Sequence, residues 1–192
     1  MKAIRPSLVL ALIVMITASW TSMGAPSSNL AQIPVELTSD KIVFLVRHAE
    51  MCLDQGSNPN LSSYGQERAR ELARVLVDVN LEKIYSTPFN RTLQTATPIS
   101  QSQELEINQV EVATGFLESL ADQIKTSEAA TILVAGHSNT TPRLVNLLVG
   151  TELSDLEETE FDRLYIVTLH ADGSASYSVL RYGGPSEKPS IC

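Results

Sequence analysis

The sequence predicts an α/β fold, with three α/β/α layers built on a mostly parallel central sheet that ends in a C-terminal antiparallel hairpin. Three observations predict it. Residues 41–46 and 131–135 are continuous β-branched and apolar runs, the pattern of strands buried on both faces. Between and around them, segments of helical apolar spacing alternate with strand-like ones, which argues for parallel strands joined by helical crossovers. The last two apolar stretches flank Asp172-Gly173, a hairpin turn signal.

The elements follow in order. After the strand at 41–46, Ala69, Leu72, Ala73, Leu76 and Val79 recur at helical intervals within residues 63–79, with Glu67, Arg70, Glu71 and Arg74 mostly on the other side. Arg68, Arg70 and Arg74 are expected on a solvated face. A short strand at 83–85 precedes a helix at 90–101, a weaker strand at 106–112 and an amphipathic helix at 116–124. The strand at 131–135 leads into a helix opened by Pro142, running to Leu148 and closed by Gly150. Residues 164–169 and 176–180 form the hairpin, with His170 structural at its edge. The acidic run Glu157-Glu158-Thr159-Glu160 is expected to be loop without a function.

The chain of 192 residues is expected to hold a leader at 1–25, a polar linker at 26–40 and one domain at 41–192. Lys2 and Arg5 precede the apolar run from Leu8 to Ile16, and small and polar residues follow, the layout of a secretory signal. That run is short of the roughly 20 residues a bilayer span requires, so no stable membrane span is expected after processing. Export to a bacterial periplasm or the medium follows. The sequons at Asn60, Asn90 and Asn139 fit a chain that never meets a glycosylation machinery, since two of them fall where chemistry is expected. Without the leader, 12 basic residues face 22 acidic ones. So acidic a body repels polyanions, which excludes nucleic acid as a partner. Cys52 and Cys192 are the two cysteines, in neither a CxxC pair nor metal-ligand spacing. In an oxidising compartment they either pair, tying the tail to the loop after the first strand, or remain free thiols; sequence does not say whether their backbones approach.

In open α/β sheets the functional crevice lies beyond the carboxyl ends of the strands. Immediately beyond the two most buried strands stand Arg47-His48-Ala49-Glu50 and Gly136-His137-Ser138-Asn139, so two of three histidines share one predicted rim. Arg91, at the start of a predicted helix, adds a cation where a helix N-terminus also attracts anions. Guanidinium groups grip phosphate oxygens in a fork and keep their charge, and a neutral imidazole nitrogen is a nucleophile. Arg47, His48, Arg91 and His137 are therefore the candidate site for a phosphoryl group. A zinc site built on the histidines is disfavoured by the fixed charge of Arg47 beside them. The nucleophile-elbow reading of Ser138 fails because Thr140 stands where the second glycine belongs.

The Arg47-His48-Ala49-Glu50 box resembles the Arg-His-Gly/Ala-Glu signature of the histidine phosphatase, or phosphoglycerate mutase-like, superfamily. Three further stretches are similar to that family's motifs in the same order: Leu61-Ser62-Ser63-Tyr64-Gly65-Gln66-Glu67-Arg68-Ala69, the segment from Ser86 through Arg91-Thr92-Leu93-Gln94-Thr95 to Ala96, and Gly136-His137. The resemblance implies a hydrolase acting on a small phosphorylated substrate. His48 would take the phosphoryl group, while Arg47, Arg91 and His137 hold its oxygens as catalytic and substrate-binding residues, with no metal and no cofactor. The family's acidic proton donor has no obvious equivalent. Glu104, Glu106, Glu111 and Glu118 are candidates, with Glu111 first because it lies near the end of the third predicted strand. A non-catalytic phosphate-binding module of the same fold is the alternative reading.

Overall fold

The computed structural model describes residues 39–192. The expected leader at 1–25, and the expected linker at 26–40 apart from its last two residues, lie outside the described residues. Strand β1 (Lys41–Arg47) leads to helix α1 (Ser63–Val75), β2 (Lys83–Ser86), α2 (Asn90–Ser102), β3 (Ile107–Gln109), α3 (Phe116–Thr126), β4 (Thr131–Gly136), α4 (Thr140–Val149), β5 (Arg163–Leu169) and β6 (Ala175–Arg181). The strands form one sheet in the order β3-β2-β4-β1-β5-β6. The first four are parallel; β5 runs antiparallel to β1, and β6 to β5.

The central strands separate two cores, because successive side chains point to opposite faces. Val43, Leu45, Ile132 and Val134 pack with Leu120, Ile124, Leu144 and Leu148 of α3 and α4. Phe44, Val46, Leu133 and Ala135 pack with Leu72 of α1 and Ala96 and Ile99 of α2. Three layers result, as the buried runs predict. At roughly 1.5–3 kcal/mol for each large apolar side chain removed from water, these two faces supply most of the driving force. Among the described residues, no helix is long and apolar enough to cross a membrane.

Local signals mark the boundaries. The Ser62 side chain accepts from Gly65 N–H at the start of α1, and Gly150 closes α4 in the left-handed conformation at φ +77°. Helix α1 ends at Val75, four residues before the expected limit. The Gln103 amide donates to Leu76 O at 3.1 Å and Val79 O at 2.8 Å, and its oxygen accepts from Leu81 N–H at 2.9 Å, so a distant side chain captures the turn. Leu76 is still buried, which is why the apolar pattern runs on beyond the helix. Strand β3 is also shorter than expected, because it pairs only with the four-residue β2.

One expectation is overturned. Arg68 does not sit on a solvated face: it is 2% exposed and pairs with Glu50, which is 1% exposed, at 2.8 Å. Its guanidinium also donates to Tyr182 O, Gly184 O and Pro185 O of the C-terminal tail. The carbonyls arrive from more than a hundred positions away, so helical spacing cannot announce them. A buried ion pair is tolerable only when its remaining protons are satisfied, as here. Cys52 and Cys192 form a disulfide that fastens the same tail.

Candidate active site

Register brings the two histidines together. Arg47 of β1 lies opposite Gly136 of β4, and His48 N–H donates to Gly136 O at 2.8 Å, extending the parallel ladder past the last paired residues. The imidazoles of His48 and His137 consequently meet edge-on, ring centres 5.5 Å apart. Gly136 has no room for a side chain, since a Cβ there would come within 2.8 Å of Thr140 Oγ1. Gly65 is more constrained still: a Cβ would stand 2.0 Å from Glu50 O, which lets α1 press against the box that carries His48.

Arg91 projects from the first turn of α2 and stacks on Phe89 at 4.8 Å, with its Nη2 3.4 Å from His137 Nδ1. The Asn58 side chain caps this helix from a separate loop, accepting from Asn90 N–H at 2.8 Å. Arg47 lies over the Phe161 ring at 4.1 Å, and Phe161 in turn flanks His48. The structure thus brings together all four residues singled out by the sequence. Among the described residues, the Nε atoms of Arg47 and Arg91 are buried without a hydrogen-bond partner. Two guanidinium donors beside two imidazoles make a site suited to an anion.

The ring of His48 is oriented by its own neighbour. Its Nδ1 lies 2.8 Å from Ala49 O, and a carbonyl only accepts, so Nδ1 carries the proton and the lone pair is on Nε2. Ala49 N–H is itself fixed on Thr95 Oγ1 at 2.9 Å, and Thr95 Oγ1 donates to Arg91 O. Burial, reinforced by Arg47, Arg91 and His137, holds His48 well below the ordinary histidine range. Burial followed by Arg91 and Arg47 pushes His137 down to about 4. Both rings are neutral near pH 7, so His48 offers an available lone pair.

The four candidate proton donors make no direct polar contact with this cluster. Glu104 occupies a turn at φ +56°, Glu106 and Glu111 are exposed on either side of β3, and Glu118 is exposed in the first turn of α3. Among the described residues, none of them is hydrogen-bonded or ion-paired to either histidine or to Arg47 or Arg91. The acidic run that the sequence leaves without a function does reach the site. Arg47 Nη1 donates to Glu157 O at 2.7 Å and Glu160 O at 3.3 Å, and Nη2 lies 3.7 Å from the Glu158 carboxylate. Glu158 is 87% exposed, so this pair is weak and salt-screened, and the backbone carbonyls do most of the holding. No local pattern marks the 157–161 loop as part of the site; only the approach of β5 to β1 brings it there.

Residues 43–112 match the family model described as the histidine phosphatase superfamily, branch 1. That stretch, a little over a third of the chain, is similar to this superfamily. It is 27% identical over 130 residues to the lipopolysaccharide core heptose(II)-phosphate phosphatase of Salmonella newport strain SL254, a match covering 63% of this chain and 64% of that protein. The protein of the same name from Salmonella typhimurium strain LT2 matches to the same extent. The similarity therefore spans 64% of the length of these curated relatives. The fold is shared with the protein histidine phosphatase SixA complexed with tungstate, at a TM-score of 0.57 and 23% identity over 73% of this chain and 96% of that one. It is also shared with the alpha-ribazole phosphatase from Shigella flexneri, at a TM-score of 0.60 and 14% identity over 73% and 96%.

Proposed function

We propose that this chain is a member of the histidine phosphatase superfamily, a phosphatase that hydrolyses phosphomonoesters through a phosphohistidine intermediate on His48. One arrangement carries the reading: a neutral imidazole with its lone pair on Nε2, near two guanidiniums whose Nε donors lack partners among the described residues. In the first step Nε2 attacks phosphorus, the bond from phosphorus to the substrate oxygen breaks, and the departing alcoholate takes a proton from water. In the second, water attacks phosphorus, the P–N bond breaks, and inorganic phosphate departs. Arg47, Arg91 and His137 hold the phosphoryl oxygens, and each such donor is worth roughly a hundredfold to a thousandfold in rate where charge develops in a water-excluded site. Neither step requires a metal or an organic cofactor.

The substrate class is a small phosphomonoester. The name of the Salmonella relatives makes a sugar phosphate of an envelope saccharide the first compound to try, and the acidic body disfavours nucleic acid. Action outside the cytoplasm of a bacterium is part of the same reading. It is supported by the leader-like segment at 1–25 and by the Cys52–Cys192 disulfide, a bond that persists in oxidising compartments. The test is hydrolysis of an aryl phosphate by the purified protein and by His48→Ala. Turnover by the parent and none by the variant is expected; substantial turnover by folded His48→Ala excludes the assignment.

A further inference from the structure

His137 is held from its far side by a hydrogen-bond chain whose direction can be deduced atom by atom. Arg91 Nη2, at 3.4 Å from His137 Nδ1, can only donate, so Nδ1 accepts. The neutral ring then carries its one proton on Nε2, which lies 2.9 Å from Thr87 Oγ1. Thr87 Oγ1 accepts that proton and directs its own to Thr92 Oγ1 at 2.9 Å. Thr92 in turn has the carbonyls of Phe89, at 2.8 Å, and Thr87, at 2.9 Å, as acceptors. Thr87 and Thr92 are 5% and 0% exposed, so no bulk water competes for these atoms. Every hydroxyl is used once as donor, the chain ends on backbone oxygen, and the donation from Arg91 sets its direction.

We propose that Thr87 is a positioning residue: it fixes Nε2 of His137 as a permanent donor and so makes Nδ1, the nitrogen facing Arg91, the one place where this ring can gain a proton. The consequence rests on the phosphatase reading above. When a phosphate dianion settles against Arg91, Nδ1 takes up a proton, and the imidazolium donates one hydrogen bond to Thr87 and one to the phosphoryl oxygen. Without Thr87 the ring can exchange tautomers or turn, and the second hydrogen bond is no longer aimed.

The test follows the histidine ring nitrogens of the full chain by 15N NMR, with His137→Gln used to assign the signals, before and after addition of inorganic phosphate. The expected result is an Nε2–H tautomer for His137 that becomes doubly protonated as phosphate binds. An Nδ1–H tautomer in the unliganded protein, or a ring that stays singly protonated with phosphate bound, overturns the proposal. Thr87→Val is expected to mix the tautomers and lower kcat about tenfold or more, since small misplacements of a catalytic group are costly. Thr87→Ser, which keeps the hydroxyl, should stay within about threefold of the parent. A Thr87→Val protein with the parent's tautomer and kcat overturns it as well. A parent protein that shows the expected tautomer and phosphate-induced protonation yet hydrolyses nothing supports the role of Thr87 and overturns the phosphatase reading instead.

Discussion

His48 and His137 stand at equivalent places, each directly beyond a buried strand of the same parallel pair, yet their rings are held by different means. His48 is oriented by the carbonyl of the next residue, a contact that exists as soon as the turn after β1 forms. His137 is oriented by side chains of Thr87 and Arg91, which belong to the β2–α2 segment. The proposed nucleophile is thus set by backbone, and its proposed phosphate-holding partner by tertiary contacts. The difference teaches that the first ring should tolerate changes around it and the second should not.

The largest expected effect separates the two directly. His48→Ala removes the covalent route and should lower kcat for an aryl phosphate by about four to six orders of magnitude, as loss of an activated nucleophile does elsewhere. His137→Gln removes one donor and should cost about a hundredfold to a thousandfold. Equal losses would break the comparison. The support beneath His48 can be probed by Glu50→Gln, which leaves Arg68 buried without its counter-charge and should destabilise the fold by about 3–5 kcal/mol, read as a lower urea midpoint. A change below about 1 kcal/mol would mean that the tail carbonyls alone satisfy Arg68. Cys192→Ser opens a loop closed across 140 positions. It should cost about 2–4 kcal/mol in the same measurement, with kcat little changed because neither histidine touches the bridge.

How much of this is legible in sequence depends on whether the cause is local. The runs at 41–46 and 131–135 announce β1 and β4, and through them the shared rim on which both histidines lie. Asp172-Gly173 and Gly150 mark a turn and a helix end because their backbone requirements are local too. Arg68 shows the opposite case: helical spacing assigned it to solvent, and only the returning tail, with three carbonyl acceptors, buries it. The loop that holds Arg47 through Glu157 O and Glu160 O, and stacks Phe161 on it, likewise has no signature in its own residues. Thr87 lies inside a stretch that the sequence singles out, but its part in orienting His137 depends on a proton direction that appears only with coordinates.

The smallest expected effect is on stability against pH. Both rings bind protons less readily folded than unfolded, where the ordinary value near 6.5 applies. The unfolded chain therefore takes up more protons as pH falls. This contribution to stability is fully present above about pH 6.5 and is lost progressively as pH falls towards the folded-state value of about 4 for His137. The drop in Tm between pH 7 and pH 5 should accordingly be smaller in His137→Gln than in the parent. An identical drop in both proteins would show that His137 is not held neutral.

The most direct measurement of the central claim is chemical trapping. The purified protein is mixed briefly with a phosphorylated substrate, quenched in alkali, and mapped for covalent phosphate. Acid-labile, alkali-stable phosphate on His48 in the parent chain, and none in His48→Ala, is the predicted result. Steady hydrolysis with phosphate on no histidine, or with the label still present in His48→Ala, would contradict it.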